Sequence, residues 1–426
     1  MSRHRFLMIL LLLVSLVLLL ALSKSERQQA LLFTEDEYPE DLDTLEEFIQ
    51  SYYLLLDSDS YIKEYSFIHP EHNHLSNESP ALTDFYRKLL ELRAGKRKQV
   101  VIYQIGDSHI QSGFFSGTAR SALQKYFGNA GRGLIFPHKL AKTNQPDDYQ
   151  ISSNSRFSRI SKPPSLSGYT LEIARPATLR IKTNSFFQID SKFDKIRVFA
   201  DSEARFSDDS GLQMISHNND PAGSSHLLKL AQRGAEAEVK LPGSMKQLYG
   251  FSLEREENGL LYHSMGINGA GFYTLAKEEQ FFQQIGILKP DLIIISLGTN
   301  DAQGRYRDEV MKANLRLFMQ NLINANSEAA LLFTLPPDSY KNGKSNPAIS
   351  SIEANIREYA TEHDLAWWEL RAVMGGSGSI NSWRQYKMAA RDLLHYTPKG
   401  YMLQGHLFYQ SLIKGYKVYS ESGDTR

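Results

Sequence analysis

The sequence contains no cysteine. That absence excludes a disulfide framework, a thiolate zinc site, an iron–sulfur cluster and a cysteine nucleophile. Covalent catalysis would fall to Ser, Thr, Lys, Asp or Glu. A charge of one sign is also missing. Lys plus Arg and Asp plus Glu each number 48, so the net charge is zero. Nucleic-acid binders normally carry a basic surplus, so no nucleic acid is expected as a partner. No internal repeat and no low-complexity tract is visible. What remains is ordinary for a globular protein: 42% hydrophobic and 23% charged residues. The 426 residues suffice for two or three domains with a sizeable core.

Only one long apolar run occurs, from Phe6 to Leu22, with Ser15 its single polar member. Arg3, His4 and Arg5 precede it, the layout of an export signal. As a helix the run spans roughly 25 Å, slightly short of the ~30 Å hydrocarbon core. It is also longer than the ~7–15 residues of a usual cleaved apolar region. Ala21-Leu22-Ser23 offers small residues for a peptidase. Residues 1–23 are therefore expected to be a signal peptide or an uncleaved signal anchor. Either places the body in the periplasm or another extracytoplasmic space, with membrane contact only through residues 6–22 if these are retained. Cleavage would remove Arg3 and Arg5 and no acidic residue, taking the charge from 0 to −2.

Residues 24–95 read as a polar, helical segment. It holds an acidic stretch from Glu35 to Glu47, read as a solvated face or linker. A helix carries Leu82, Phe85, Leu89, Leu90 and Leu92 on its core side. His69, His72 and His74 cluster in a Pro/Asn/Ser-containing loop. A surface loop is the favoured reading there over a metal site.

Val100 to Ile105 is a buried-strand signature bounded by Gly106, and a helix over Ala119–Phe127 follows. This opens an α/β domain over residues 96–144. From 145 to 255 short alternating strands recur without helices, as at Thr178–Lys182 and Ala237–Leu241. That pattern predicts an inserted all-β sandwich. Helix–strand alternation resumes over 256–426, with buried strands at 291–297 and 329–334 and a helix at 351–363.

Four motifs converge on one chemistry. Gly106-Asp107-Ser108-His109 follows a buried strand and enters a helix. Open α/β sheets bind ligands at that place, and helix N-termini offer free N–H groups. The bland reading is a helix cap, for which Asp and Ser serve well. Gly298-Thr299-Asn300-Asp301 follows another buried strand, where an Asn amide can serve an oxyanion or merely a turn. Gly266-Ile267-Asn268-Gly269-Ala270-Gly271 could bring a backbone N–H close to the same point, or could be only a loop. Asp392-Leu393-Leu394-His395 has a spacing that lets the carboxylate reach the imidazole. His395 could then take the proton of Ser108.

The order of these blocks resembles the SGNH (GDSL) hydrolase superfamily, over residues 100–135 and 256–415. The resemblance implies a three-layer α/β/α, flavodoxin-like domain. It implies Ser108, Asp392 and His395 as catalytic residues. An oxyanion hole of Ser108, Gly269 and Asn300 follows from it, with Gly266 and Gly271 as neighbouring candidates. No cofactor and no metal are implied. His109 stands where the superfamily commonly has Leu. Phe127-Gly128-Asn129-Ala130-Gly131-Arg132-Gly133, Met374-Gly375-Gly376 and the β insert are similar to the two-domain bacterial peptidoglycan O-acetylesterases. This implies an O-acetylated polysaccharide substrate, with the insert placed like a carbohydrate-binding module. An O-acetyltransferase using the same triad, a lipase or arylesterase, and a non-catalytic glycan-binding protein are the alternatives.

Overall fold

Val100 to Ile105 is apolar except for Gln104, and it forms the strand Gln99–Gly106, buried beyond its first residue. In the computed structural model this strand lies inside a six-stranded sheet. The structure describes residues 60–206 and 211–422, with Tyr52, Tyr53 and Leu56 ahead of them. The expected export segment and the acidic stretch lie outside the described residues. Among the described residues no helix is long and apolar enough to cross a membrane.

The sheet runs in the order Leu75–Ser76, Ala366–Trp368, Ala330–Thr334, Leu292–Ser296, Gln99–Gly106, Gly259–Gly266. Only the edge strand Leu75–Ser76 is antiparallel. Numbered along the chain, the five parallel strands stand in the order 2-1-3-4-5, the flavodoxin-like arrangement. Gln99–Gly106 is the switch strand, since the chain leaves it to one side and then to the other.

Alternation along the strands sorts side chains to two helical layers. Tyr103, Ile105, Ile293, Ile295 and Phe333 pack with Phe281, Phe318 and Ile352, from the helices Glu279–Gly286, Asp308–Ala325 and Ala348–Glu362. On the other face Phe115 and Trp368 meet Phe408, from the helices Phe114–Phe127 and Pro398–Glu421. The first of these helices begins at Phe114, ahead of the expected Ala119. The helix at Thr83–Arg93 buries Phe85, Tyr86, Leu89 and Leu92, with Tyr86 in place of the expected Leu90.

The β region forms two antiparallel sheets. One has seven strands, including Phe193–Ala200, Gly223–Gly234 and Gln247–Glu254. The other has three: Tyr149–Ser152, Ala177–Thr183 and Glu236–Leu241. Ala177–Thr183 alternates strictly between buried and exposed residues. Leu179 and Val239 of the small sheet share one apolar cluster with Ile196, Val198 and Phe251 of the large one. Two sheets closing on one core make a sandwich. Residues ahead of 145 contribute as well, because Gly133–Ile135 pairs with Gln247–Glu254.

The α/β and β regions pack as one compact unit, Ile49–Arg426. The connection between them runs through the glycine-rich segment at 128–133. Gly131 has φ +125°, and a Cβ there would lie 2.3 Å from the Leu253 carbonyl oxygen. Only glycine lets the chain pass that strand. A buried ion cluster fastens the same crossing. Asp148 takes a bidentate bond from Arg132, at 2.9 and 3.0 Å, and a third bond from Arg120, at 2.7 Å. All three residues are buried.

Candidate active site

Strand register brings the sequence blocks to one edge. Gly106 pairs with Gly266 on one side and with Ser296 on the other. The three strands therefore end level, and Ser108, Gly269 and Asn300 each follow within four residues. A buried polar chain fixes this level from beneath. Tyr262 donates to Gln104 Oε1 at 2.8 Å, and Gln104 Nε2 donates to Ser296 Oγ at 2.9 Å. Thr334 Oγ1 donates to the same Ser296 Oγ at 2.7 Å. One residue from each of four neighbouring strands is thus tied, which suppresses slippage at this edge.

Asp107 caps the short helix Ser108–Gln111, accepting the His109 N–H at 2.9 Å. Ser108 Oγ lies 3.0 Å from His395 Nε2. His395 Nδ1 lies 2.7 Å from Asp392 Oδ2, while Asp392 Oδ1 accepts the N–H groups of Leu394 and His395, each at 3.0 Å. Asp392 stands in a turn ahead of the helix Pro398–Glu421, with Leu393 at φ +53°. Burial would raise the Asp392 carboxyl, but His395 and these N–H groups outweigh it and hold the group at about 2. A third of the side chain meets solvent, which screens the pair.

Gly269 adopts φ +78°, and nothing lies within 4 Å of where a Cβ would stand. Among the described residues neither the Ser108 nor the Gly269 backbone N–H has an acceptor. Asn300 differs from the expectation of a free donor. Its Nδ2 donates to Ala270 O at 2.8 Å and to Asp107 Oδ2 at 3.1 Å. Both amide hydrogens are engaged.

Three contributors carry no motif role in the sequence. Asp107 joins the nucleophile turn to Asn300. Asp301 accepts the N–H groups of Phe272 and Tyr273, at 3.1 and 3.3 Å, and so fastens the glycine loop to the Asn300 block. His109 is buried behind the triad, with Nδ1 at 2.9 Å from the Tyr401 hydroxyl and its ring 5.4 Å from that of His395. Burial, then the charge of His395, push His109 down to about 3. It is neutral at any working pH, which suits a packing residue in the place of Leu.

Asp107 gives the site a pH signature in stability. Burial is the main cause that lifts its carboxyl to about 7. An unfolded Asp ionises near ~3.9. The unfolded chain therefore releases this proton first, and the Asp107 contribution to stability falls as pH rises from about 4 to about 7. Asp107→Asn removes that slope. Urea midpoints at pH 4.5 and 7.5 should shift toward the acid side less in the variant than in the parent. An identical shift in both would mean that Asp107 ionises normally.

Among the described residues, one group has metal-ligand atoms within 4.8 Å of one another: His69, Glu71 and His72. It sits on the surface turn Pro70–His72, and none of the triad side chains belongs to it. His74 stands apart from that group. Met374-Gly375-Gly376 ends the short helix Leu370–Val373, and the Met374 carbonyl accepts from Trp383 Nε1 at 3.0 Å.

Residues 241–403 match the GDSL-like lipase/acylhydrolase family. That span includes Gly269, Asn300, Asp392 and His395 and leaves Ser108 outside it, ahead of the β region. A solved peptidoglycan O-acetylesterase has the same fold. Its chain is 21% identical, with 81% of this chain and 99% of that chain covered and a TM-score of 0.67. A lipase/acylhydrolase from Enterococcus faecalis is 20% identical over 37% of this chain and 77% of its own, with a TM-score of 0.30. An acetylxylan esterase from Geobacillus stearothermophilus is 16% identical over 36% of this chain and 73% of its own, with a TM-score of 0.30. No curated protein sequence matches the chain. Over residues 241–403 the chain is thus similar to the GDSL-like lipase/acylhydrolases, and its two-part fold, a β-sandwich beside an α/β domain, is that of the solved O-acetylesterase.

Proposed function

We propose that the protein is an exported serine esterase that removes O-acetyl groups from peptidoglycan or another cell-envelope polysaccharide. The observation that carries this reading is the unbroken line Ser108 Oγ–His395 Nε2 and His395 Nδ1–Asp392 Oδ2, at 3.0 and 2.7 Å. It stands in a fold that matches an O-acetylesterase along 99% of that protein's length. An export signal over residues 1–23 agrees with an extracytoplasmic polymer as substrate.

His395 takes the Ser108 proton as Oγ attacks the ester carbonyl carbon. The carbonyl oxygen becomes an oxyanion facing the free N–H groups of Ser108 and Gly269. Asn300 exchanges its longer bond, to Asp107 Oδ2, for one to the oxyanion. The tetrahedral centre collapses, the sugar oxygen leaves and His395 returns the proton to it. Water then attacks the acetyl carbon, giving a proton to His395; the bond from that carbon to Ser108 Oγ breaks, His395 returns the proton to Oγ, and acetate leaves. Asp392 holds the imidazole in place and stabilises its charged form. Asn300→Ala should lower kcat by ~10²–10³-fold with little change in KM, because its bond to the oxyanion exists chiefly in the transition state. Steady-state kinetics on a small acetyl ester check this. Unchanged kcat would leave Asn300 as a loop fastener only.

The β sandwich is assigned the role of holding the polymer. Its small sheet borders an open groove of about 530 Å³ lined by Ser153, Asn154, Thr178, Arg180, Glu238 and Lys240. Such a lining suits a hydroxyl-rich chain. Asn154→Ala with Arg180→Ala should lower the rate on insoluble glycan more than tenfold and leave a small acetyl ester unaffected. Equal loss on both substrates would make the sandwich a structural brace.

The experiment that tests the reading is acetate release from O-acetylated peptidoglycan, acetylated xylan and p-nitrophenyl esters of increasing acyl length. Peptidoglycan acetate should be released fastest, and longer acyl chains slowly. Preference for long acyl chains would make the protein a lipase. Appearance of the acetyl group on an added sugar hydroxyl, in place of free acetate, would make it a transferase.

A further inference from the structure

We infer that Gln111 is a positioning residue for the reaction: it sets the direction of the Gly269 N–H, and the β region holds it in that task. The inference rests on the reading of Gly269 as an oxyanion donor.

Gln111 closes the nucleophile helix Ser108–Gln111 and is 3% exposed. Its Oε1 accepts the Asn268 backbone N–H at 2.9 Å and the Tyr169 hydroxyl at 3.4 Å. Its Nε2 donates to Thr143 Oγ1 at 2.6 Å and to the Asn144 carbonyl at 3.3 Å. Three parts of the chain thus meet on one amide. The nucleophile helix supplies it, the oxyanion loop donates to it, and the β region fixes it from the far side. Tyr169 directly precedes the strand Thr170–Glu172, and Thr143 lies between the strands Gly133–Ile135 and Tyr149–Ser152.

The Gly269 N–H belongs to the planar peptide that follows Asn268. With the preceding peptide pinned to Gln111, only the two backbone torsions of Asn268 separate anchor from donor. The Asn268 side-chain amide is buried with no partner among the described residues, on either its nitrogen or its oxygen. Gly269 has open space where a side chain would pack. The Ala270 N–H to Ile267 O bond, at 3.0 Å, closes a β-turn with Asn268 and Gly269 at its centre. Ile267 N–H to Gly106 O at 3.2 Å and Asn300 Nδ2 to Ala270 O at 2.8 Å tie its ends, and Gln111 aims the turn as a whole at the nucleophile helix. A donor misplaced by an ångström loses most of its value in the transition state, and ground-state binding barely senses it.

The test is a kinetic cycle on a small acetyl ester, with thermal melting as a check of folding. Gln111→Met keeps the length and removes the bonds. It should lower kcat about 10- to 100-fold with KM within about threefold. Thr143→Val is isosteric and lies outside the machinery of the reaction. It should lower kcat about 3- to 10-fold in the same way, through the loosened amide. The double variant should be no slower than Gln111→Met alone, since both act through one bond network. Unchanged kcat in a folded Gln111→Met variant would overturn the inference, and so would a Thr143→Val factor that multiplies fully in the Gln111→Met background. Should Gln111→Met not fold, Thr143→Val decides alone: loss of kcat at constant KM supports positioning, and wild-type kcat removes it. Ser108→Ala run in parallel separates the two levels. An active Ser108→Ala defeats the reading of Ser108 as nucleophile, on which the site rests, whereas an inert one beside an unimpaired Gln111→Met defeats only the role of Gln111.

Discussion

Ser108→Ala should lower ester turnover by ~10⁴-fold or more while the protein melts as before. The Ser108 hydroxyl has one side-chain partner, His395, and sits half-open at the mouth of the site. Its loss removes the proposed nucleophile and leaves the cap, the strand register and the polar chain beneath them intact. A residual rate from the backbone N–H groups and from substrate binding should persist above that in water. His395→Ala should be about as slow, and the double variant hardly slower, because the two residues act as one unit. Activity above about one per cent in a folded Ser108→Ala variant would show that another group attacks the ester.

The second large effect concerns stability. Asp148 neutralises one of two buried guanidinium groups, Arg120 and Arg132, and it accepts from both. Burial would raise its carboxyl, but Arg132 and then Arg120 prevail and hold it at about 2. Asp148→Asn keeps the shape and leaves two positive charges buried without a counter-ion. Breaking a buried pair in this way costs about 3–5 kcal/mol. The loss depends on pH in a defined direction. The folded carboxyl lies below its unfolded value of ~3.9, so its stabilisation is full above that pH and fades as pH falls toward 2. Urea midpoints should differ widely between parent and variant at pH 7 and converge toward pH 3. A constant gap, or none at pH 7, would contradict the account of this cluster. Because Arg120 comes from the α/β helix Phe114–Phe127 and Asp148 directly precedes the strand Tyr149–Ser152, the variant should also loosen the crossing between the two regions.

The α/β half was legible where residues form continuous apolar runs. Val100–Ile105, Leu292–Ile295 and Leu331–Phe333 are buried on both faces, so their sequence needs no partner to be read. The helix Pro398–Glu421 escaped for the same physical reason in reverse. It is buried all round from Gly400 to Phe408, so no apolar stripe marks it, although Thr397 caps it and Pro398 opens it. Phe114–Thr118 lacks a stripe on the same ground. In the sandwich, Leu212–Asp220 is polar and exposed beyond its first residues, and edge pairing with Gly223–Gly234 alone makes it a strand. At the site, residues carried by motif spacing came together: Ser108, His395 and Asp392. The engaged state of the Asn300 amide depends on Asp107 and Ala270, which only strand register brings near. Gln111 carries no motif, and its partners lie 32 residues away at Thr143, 58 at Tyr169 and 157 at Asn268. Long-range convergence of that kind leaves no local trace.

The central claim is that Ser108 forms an acetyl-enzyme on the way to acetate. Its most direct test is rapid quenching of the enzyme during turnover of a small acetyl ester, followed by peptide mass mapping. The account predicts a single acetyl group on Ser108, accumulating in the first turnover and absent from Ser108→Ala. An acetyl group on any other residue, or turnover without an acylated peptide when deacylation has been slowed, would contradict it.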